Sequence, residues 1–98
     1  MEVTLFQSIQ LENHQNGVIT ISKTFNTSMI PRQGDIVVDS LWETDEEQIV
    51  HSVEFNFQDD NCYVYITKKI LPTNDKSMLI KFSNLAISHD WESNSFDF

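Results

Sequence analysis

Nine carboxylates stand between Gln33 and Thr67 (Asp35, Asp39, Glu43, Asp45, Glu46, Glu47, Glu54, Asp59 and Asp60), and no lysine or arginine interrupts them. Carboxylates at this density offer metal coordination, acid–base catalysis or attraction of a cationic partner. A calcium loop needs oxygen ligands at alternate positions around a glycine turn. Asp59-Asp60-Asn61 lacks that spacing, and Thr44-Asp45-Glu46-Glu47 lacks the glycine. Zinc is no better served, because His14, His51 and His89 are far apart and Cys62 stands alone, so no ligand pair has zinc-site spacing. Glycoside hydrolysis by two carboxylates requires a deep cleft to hold a sugar, which a chain of 98 residues does not offer. Gly17 and Gly34 are too few for a glycine-rich phosphate loop. Cys62 as a nucleophile would need an electropositive, accessible setting, and its surroundings are acidic. The sequence therefore predicts no enzyme, no cofactor and no metal, and leaves electrostatic attraction as the chemistry of the stretch.

The whole chain carries a formal net charge of −9, beyond the magnitude of about 2–8 usual for a small domain. Such a charge disfavours phosphate contacts with nucleic acid and adhesion to an anionic membrane. The expected partner is a basic protein surface, including that of a nucleic-acid-binding enzyme. Charges farther apart than about 8 Å are screened at physiological salt, so the acids act as a ridge along an edge. Glu43, Asp45, Glu46, Glu47, Glu54, Asp59 and Asp60 would carry the attraction. Tyr63 and Tyr65, on the outward parity beside Glu54, would supply the buried contacts, since tyrosine is enriched at interface hot spots. With one cysteine, no signal-peptide pattern and no membrane-length apolar run, the expected location is cytoplasmic.

These residues need strands to position them. From Ile49 to Phe57 apolar and polar residues alternate, and Asp59-Asp60 follows as a turn pair before Cys62, Val64 and Ile66. A tight turn at Asp59-Asp60 sets Phe57 opposite Cys62, Phe55 opposite Val64 and Val53 opposite Ile66. Ile49 and His51 then share the inward parity, and Glu54 faces Tyr65. Val3, Leu5, Ile9 and Leu11 predict an opening strand, paired through a Gln15-Asn16-Gly17 loop so that Leu11 meets Ile21. Met78, Ile80 and Phe82 alternate with Leu79 and Lys81 and predict a further strand. Helix is expected to be limited to a turn between Glu43 and Val50. Trp42 and Trp91, each among acids, would either pack at the ends of the fold or anchor a partner, and packing is the favoured reading.

Ile30-Pro31-Arg32-Gln33-Gly34-Asp35-Ile36-Val37-Val38 brings a proline, a glycine turn and a β-branched run together. This Pro-x-x-Gly-Asp entry and the hairpin after it resemble the opening of small SH3-like barrels, and a pattern in uncharacterised small bacterial and phage proteins. The resemblance spans Ile30 to Ile66 and implies a fold but no functional residue. The predicted architecture is all-β, a small antiparallel SH3-like barrel or strongly bent sheet of about five to seven strands. Residues 1–92 would form a single β domain and 93–98 a fraying tail. The functional expectation is a non-enzymatic acidic binding module. Its specific form is a phage or mobile-element inhibitor of anti-CRISPR or antirestriction type, which blocks the nucleic-acid groove of a defence nuclease. The alternative is a structural or assembly module, a phage-particle component or homo-oligomer, kept soluble by its acids.

Overall fold

The computed structural model describes residues 1–13, 17–42 and 46–94. The alternating apolar residues at the start build β1 (Glu2–Gln10), which pairs antiparallel with β2 (Val18–Asn26). Val3, Leu5, Ile9 and Leu11 turn to one face with Ile19 and Ile21, and all are buried. Ile21 lies opposite Gln7 and not Leu11, a shift of four positions from the expected register. An even shift leaves every side chain on its own face, so the apolar pattern could not choose between the two. The longer loop begins where the Leu11 N–H donates to the Gly17 carbonyl at 3.2 Å; residues 14–16 of the expected turn lie outside the described residues.

The central hairpin shows the same kind of difference. β4 (Gln48–Asn56) and β5 (Asn61–Ile66) pair with Phe55 opposite Cys62, Val53 opposite Val64 and Glu54 opposite Tyr63. Here the expected register is displaced by two positions, because the turn spans 57–60. Asn56 holds that turn, its Oδ1 accepting the Gln58 and Asp59 N–H groups at 3.1 and 3.2 Å. Asp60 takes the left-handed conformation at φ 53, tolerable for Asp because its short side chain bonds locally. Phe57 is thereby placed in the turn, exposed instead of facing Cys62. Nearer the other end the pairing slips between Val50 and Ser52. This bulge inverts the side-chain phase, so Val50 is buried while Ile49 and His51, expected inside, are exposed.

β1 is the middle of the assembly. It pairs in parallel with β5, Val3 opposite Cys62 and Phe6 opposite Tyr65, and with the short β6 (Lys69–Ile70). β3 (Ile36–Val37) lies beyond β4, and β7 (Glu92–Ser93) beyond β2, giving the order β3-β4-β5-β1-β2-β7 with β6 also on β1. The result is the expected all-β bent sheet, curled into a half-barrel. Its mostly antiparallel pairing carries a parallel seam that no local pattern predicts. Residues 27–35 form a strap across the open side. The Thr27 N–H donates to the Met1 carbonyl at 3.1 Å, and the Gly34 N–H to the Val50 carbonyl at 2.9 Å. In the turn that ends the strap, the Asp35 N–H donates to the Arg32 carbonyl at 2.9 Å. Gly34, at φ 91, fills the third position, where a type II turn requires positive φ.

The segment expected as a strand at Met78 to Phe82 lies instead in the helix α1 (Lys76–Ser88), which packs against β2 and β7. Leu79, Ser83 and Ala86 face the core at helical spacing. Small residues at two of those positions hide the period, and Ile80, Leu85 and Ile87 remain about half exposed. Asp75 caps the helix by accepting the Ser77 N–H at 3.0 Å. At the other end the Asp90 N–H reaches the Ile87 carbonyl (3.1 Å) and the Trp91 N–H the Ala86 carbonyl (3.0 Å), with Asp90 at φ 71. This is the Schellman arrangement. The Leu79 side chain comes so close to Gly17 that a Cβ there would lie 2.8 Å from Leu79 Cδ1. No helix among the described residues is long and apolar enough to cross a membrane. Ser93 pairs with Ile21, and Asn94 exchanges two hydrogen bonds with the Thr20 backbone. The sheet thus extends past residue 92; 95–98 of the expected tail lie outside the described residues.

Candidate functional site

On the outer face of the sheet, away from α1, the parallel seam brings Phe6 of β1 against both tyrosines of β5. Phe6 stacks on Tyr65 (centroids 5.3 Å, planes 18° apart) and meets Tyr63 edge-on (5.5 Å, 67°). All three rings are half-buried, each keeping part of its surface in solvent. Glu54, on the neighbouring β4, accepts a hydrogen bond from the Tyr65 hydroxyl at 3.3 Å. Burial, then the Glu54 charge and this hydrogen bond, push the Tyr65 phenol above its ordinary value. The hydroxyl therefore stays protonated and remains a donor through the neutral range. On the far side of Phe6, a hollow of about 180 Å³ is lined by Thr20, Ser22, Glu92, Ser93 and Asn94. Among the described residues, no outward strand position of this sheet carries a lysine or arginine, whereas Glu2, Glu54 and Glu92 all point outward or lie exposed.

The sequence-predicted residues separate into distinct groups. Glu54, Tyr63 and Tyr65 share one face as expected, but Glu54 lies opposite Tyr63 and not Tyr65 in register, and it meets Tyr65 through the hydroxyl hydrogen bond. Asp59 and Asp60 lie in the turn beyond them, Asp59 accepting from Asn56 Nδ2 at 3.0 Å. The Glu2 N–H donates to the Asp60 carbonyl at 3.4 Å, so a carboxylate from the chain start joins this end of the sheet. Glu46 is drawn into an ion pair with Lys69 at 2.7 Å and is half-buried. Glu47 is exposed. Glu43 and Asp45 lie outside the described residues.

Sequence reasoning missed Phe6 and Glu92. Phe6 stands alone among Thr4, Ser8 and Gln10 on the polar parity of its strand. A lone aromatic on a solvated face was the available signal, but its neighbours depend on the β1–β5 seam. Both tryptophans are packed, Trp42 edge-on to Trp91 at 5.4 Å. The Trp42 indole donates to Gln7 Oε1 (3.1 Å), and Gln7 Nε2 in turn donates to Gln48 Oε1 and the Thr67 carbonyl, both at 2.8 Å. The Trp91 indole donates to Asp39 Oδ2 at 2.9 Å, while Lys23 pairs with Asp39 Oδ1 at 2.9 Å. Cys62 is buried under the hairpin, and burial raises its thiol pKa. No three of His, Cys, Asp or Glu converge to hold a metal ion among the described residues.

The arrangement on the outer face suits a cationic side chain. Aromatic faces attract ammonium and guanidinium groups, and carboxylates at the rim supply the counter-charge. Comparisons with protein-family models, curated proteins and solved structures find no match for this chain.

Proposed function

We propose that this chain is a non-enzymatic protein-binding module whose outer face meets a basic protein surface. The observation that carries the reading is the Phe6–Tyr63–Tyr65 cluster, framed by Glu54 and Glu92 on a face whose strand positions hold no cation. Interface hot spots favour tyrosine that is partly desolvated already, and the acidic rim steers a basic partner toward it. In its narrower form the partner is a nucleic-acid-binding enzyme, whose groove would take these carboxylates in place of phosphates. An inhibitor encoded by a phage or mobile element fits that role. Capture of partners from a host lysate, followed by association kinetics, tests the proposal. Tyr63→Ala with Tyr65→Ala should weaken the captured complex by about 100-fold, the size of two hot-spot truncations of roughly 1–2 kcal/mol each. Glu54→Lys should slow association about tenfold at low salt and flatten its salt dependence. A captured partner that binds both variants like the parent chain would refute the reading.

The alternative, an assembly module, draws on a different observation: Phe55, Phe57, Met29 and Val38 are apolar and substantially exposed. Sedimentation at low and high salt separates the two. A stable oligomer indifferent to salt supports assembly, and a monomer counts against it.

A further inference from the structure

β4 has a partner strand on one side only along much of its length. β3 pairs with it at Gln48 and Ile49, and the last backbone bonds on that side are at Val50. From His51 to Asn56, among the described residues, no strand lies along that edge. Folded proteins usually blunt such an edge with lysine, proline, an inward-facing charge, a bulge or a covering loop. The bulge between Val50 and Ser52 and the neighbouring strap mark its start, and no lysine, proline, inward charge or bulge occurs from 53 to 56. Phe55 instead stands 48% exposed there, its ring stacked on Phe57 at 5.8 Å with planes 8° apart. Beside this edge the strap leaves a hollow of about 610 Å³, floored by Ile30, Pro31, Val53 and Phe55, with Arg32 and His51 also on its lining.

We infer that this edge receives an extended segment of a partner as an added strand, with apolar side chains entering the hollow and alternate lysine or arginine side chains lying on the outer face. The alternation follows from the pleat. A strand added beside β4 shares its two faces. Residues next to Val53 and Phe55 turn into the apolar hollow, where Arg32 opposes a cation. Residues between them stand beside Glu54, with Asp59 and Asp60 beyond. Charge selects the occupant. A second copy would bring another chain of net charge −9 and set Glu54 near its own equivalent, and like charges across a strand pair destabilise it. A cationic segment meets no such penalty. The inference does not depend on the outer-face reading, since main-chain pairing and the hollow would hold the segment even if Phe6, Tyr63 and Tyr65 touched nothing.

Three capped peptides test it against isotope-labelled protein by NMR and amide hydrogen exchange. One alternates valine and lysine, one alternates valine and glutamate, and one is the valine–lysine peptide with alternate backbone nitrogens methylated. The first should shift the amides of residues 52–56 and slow exchange at the free edge about tenfold at saturation. The glutamate peptide should bind at least about tenfold more weakly. Methylation, which removes main-chain donors, should weaken binding by about tenfold or more. Absence of binding at about 1 mM peptide, where even a weak complex forms, would overturn the inference, as would equal binding of the methylated peptide. Shifts confined to Phe6, Tyr63 and Tyr65 would also overturn it while leaving the outer-face reading standing. A free protein that sediments as a dimer with these amides already protected would assign the edge to a second copy and overturn it too.

Discussion

Asp39 joins more of the interior than any other acid described. Burial alone would raise its pKa. The hydrogen bonds from Lys23, Trp91 and the Leu41 N–H, together with the Lys23 charge, outweigh that and hold the carboxyl below its usual range. A carboxylate whose folded pKa is depressed adds stability that is complete above its unfolded value, about 3.9, and is lost as pH falls through the lower folded value. Asp39→Asn keeps an acceptor for Trp91 but leaves Lys23, whose side chain is 17% exposed, without its ion-pair partner. The variant should lose about 2–4 kcal/mol at neutral pH, somewhat less than a fully buried pair. In urea melts, its stability should also fall less steeply than the parent's between about pH 5 and pH 3. Cys62 offers a second residue-scale check. Its burial keeps the thiol protonated and out of reach, so a thiol reagent at about pH 8 should label it only as fast as the protein opens. Fast labelling of the native chain would contradict the packing described. Of the sequence-predicted site, the part that proved legible was local: Glu54, Tyr63 and Tyr65 share a face because strand parity is a property of neighbours. Phe6 was illegible because it joins them only through a strand made much earlier.

At the scale of elements, the faces of the strands could be read and their registers could not. Each hairpin slipped by an even number of positions, a displacement to which an alternating pattern is blind. What decided the central register was Asn56 folding its side chain over the Gln58 and Asp59 amides, which lengthens the turn. The helix was misread for a related reason. Met78, Ile80 and Phe82 satisfy a period of two, while the buried set Leu79, Ser83 and Ala86 includes only one large apolar side chain. Its boundary signals were present in Asp75 and in Asp90, the latter occupying a left-handed position that glycine fills without strain. Asp90→Gly should therefore stabilise the protein by about 1 kcal/mol, the typical penalty removed, and Asp90→Val should destabilise it. Thermal melts of the two variants should move in opposite directions.

For the molecule as a whole, charge and composition were legible without any structure, because neither depends on which strands meet. A net charge of −9 on a chain of 98 residues opposes its own compaction. Sodium chloride raised from about 10 to 150 mM shortens the Debye length from about 30 to 8 Å, and the melting temperature should rise with it. A fall would mean that the Lys23–Asp39 and Lys69–Glu46 pairs outweigh the repulsion. The order of strands in the sheet has a further consequence, for the order of events in folding. β1 leaves the ribosome before either neighbour and can close first only with β2, the nearer in sequence. Its other side must wait for β5, and Val3 and Leu5 stay only half covered until then. Parallel closure across so long a stretch of chain is slow, so docking of the 48–66 hairpin onto the earlier strand β1 is expected to be the late event in folding. The Phe6–Tyr65 stack is assembled by that same step, which makes the outer face one of the last surfaces to exist.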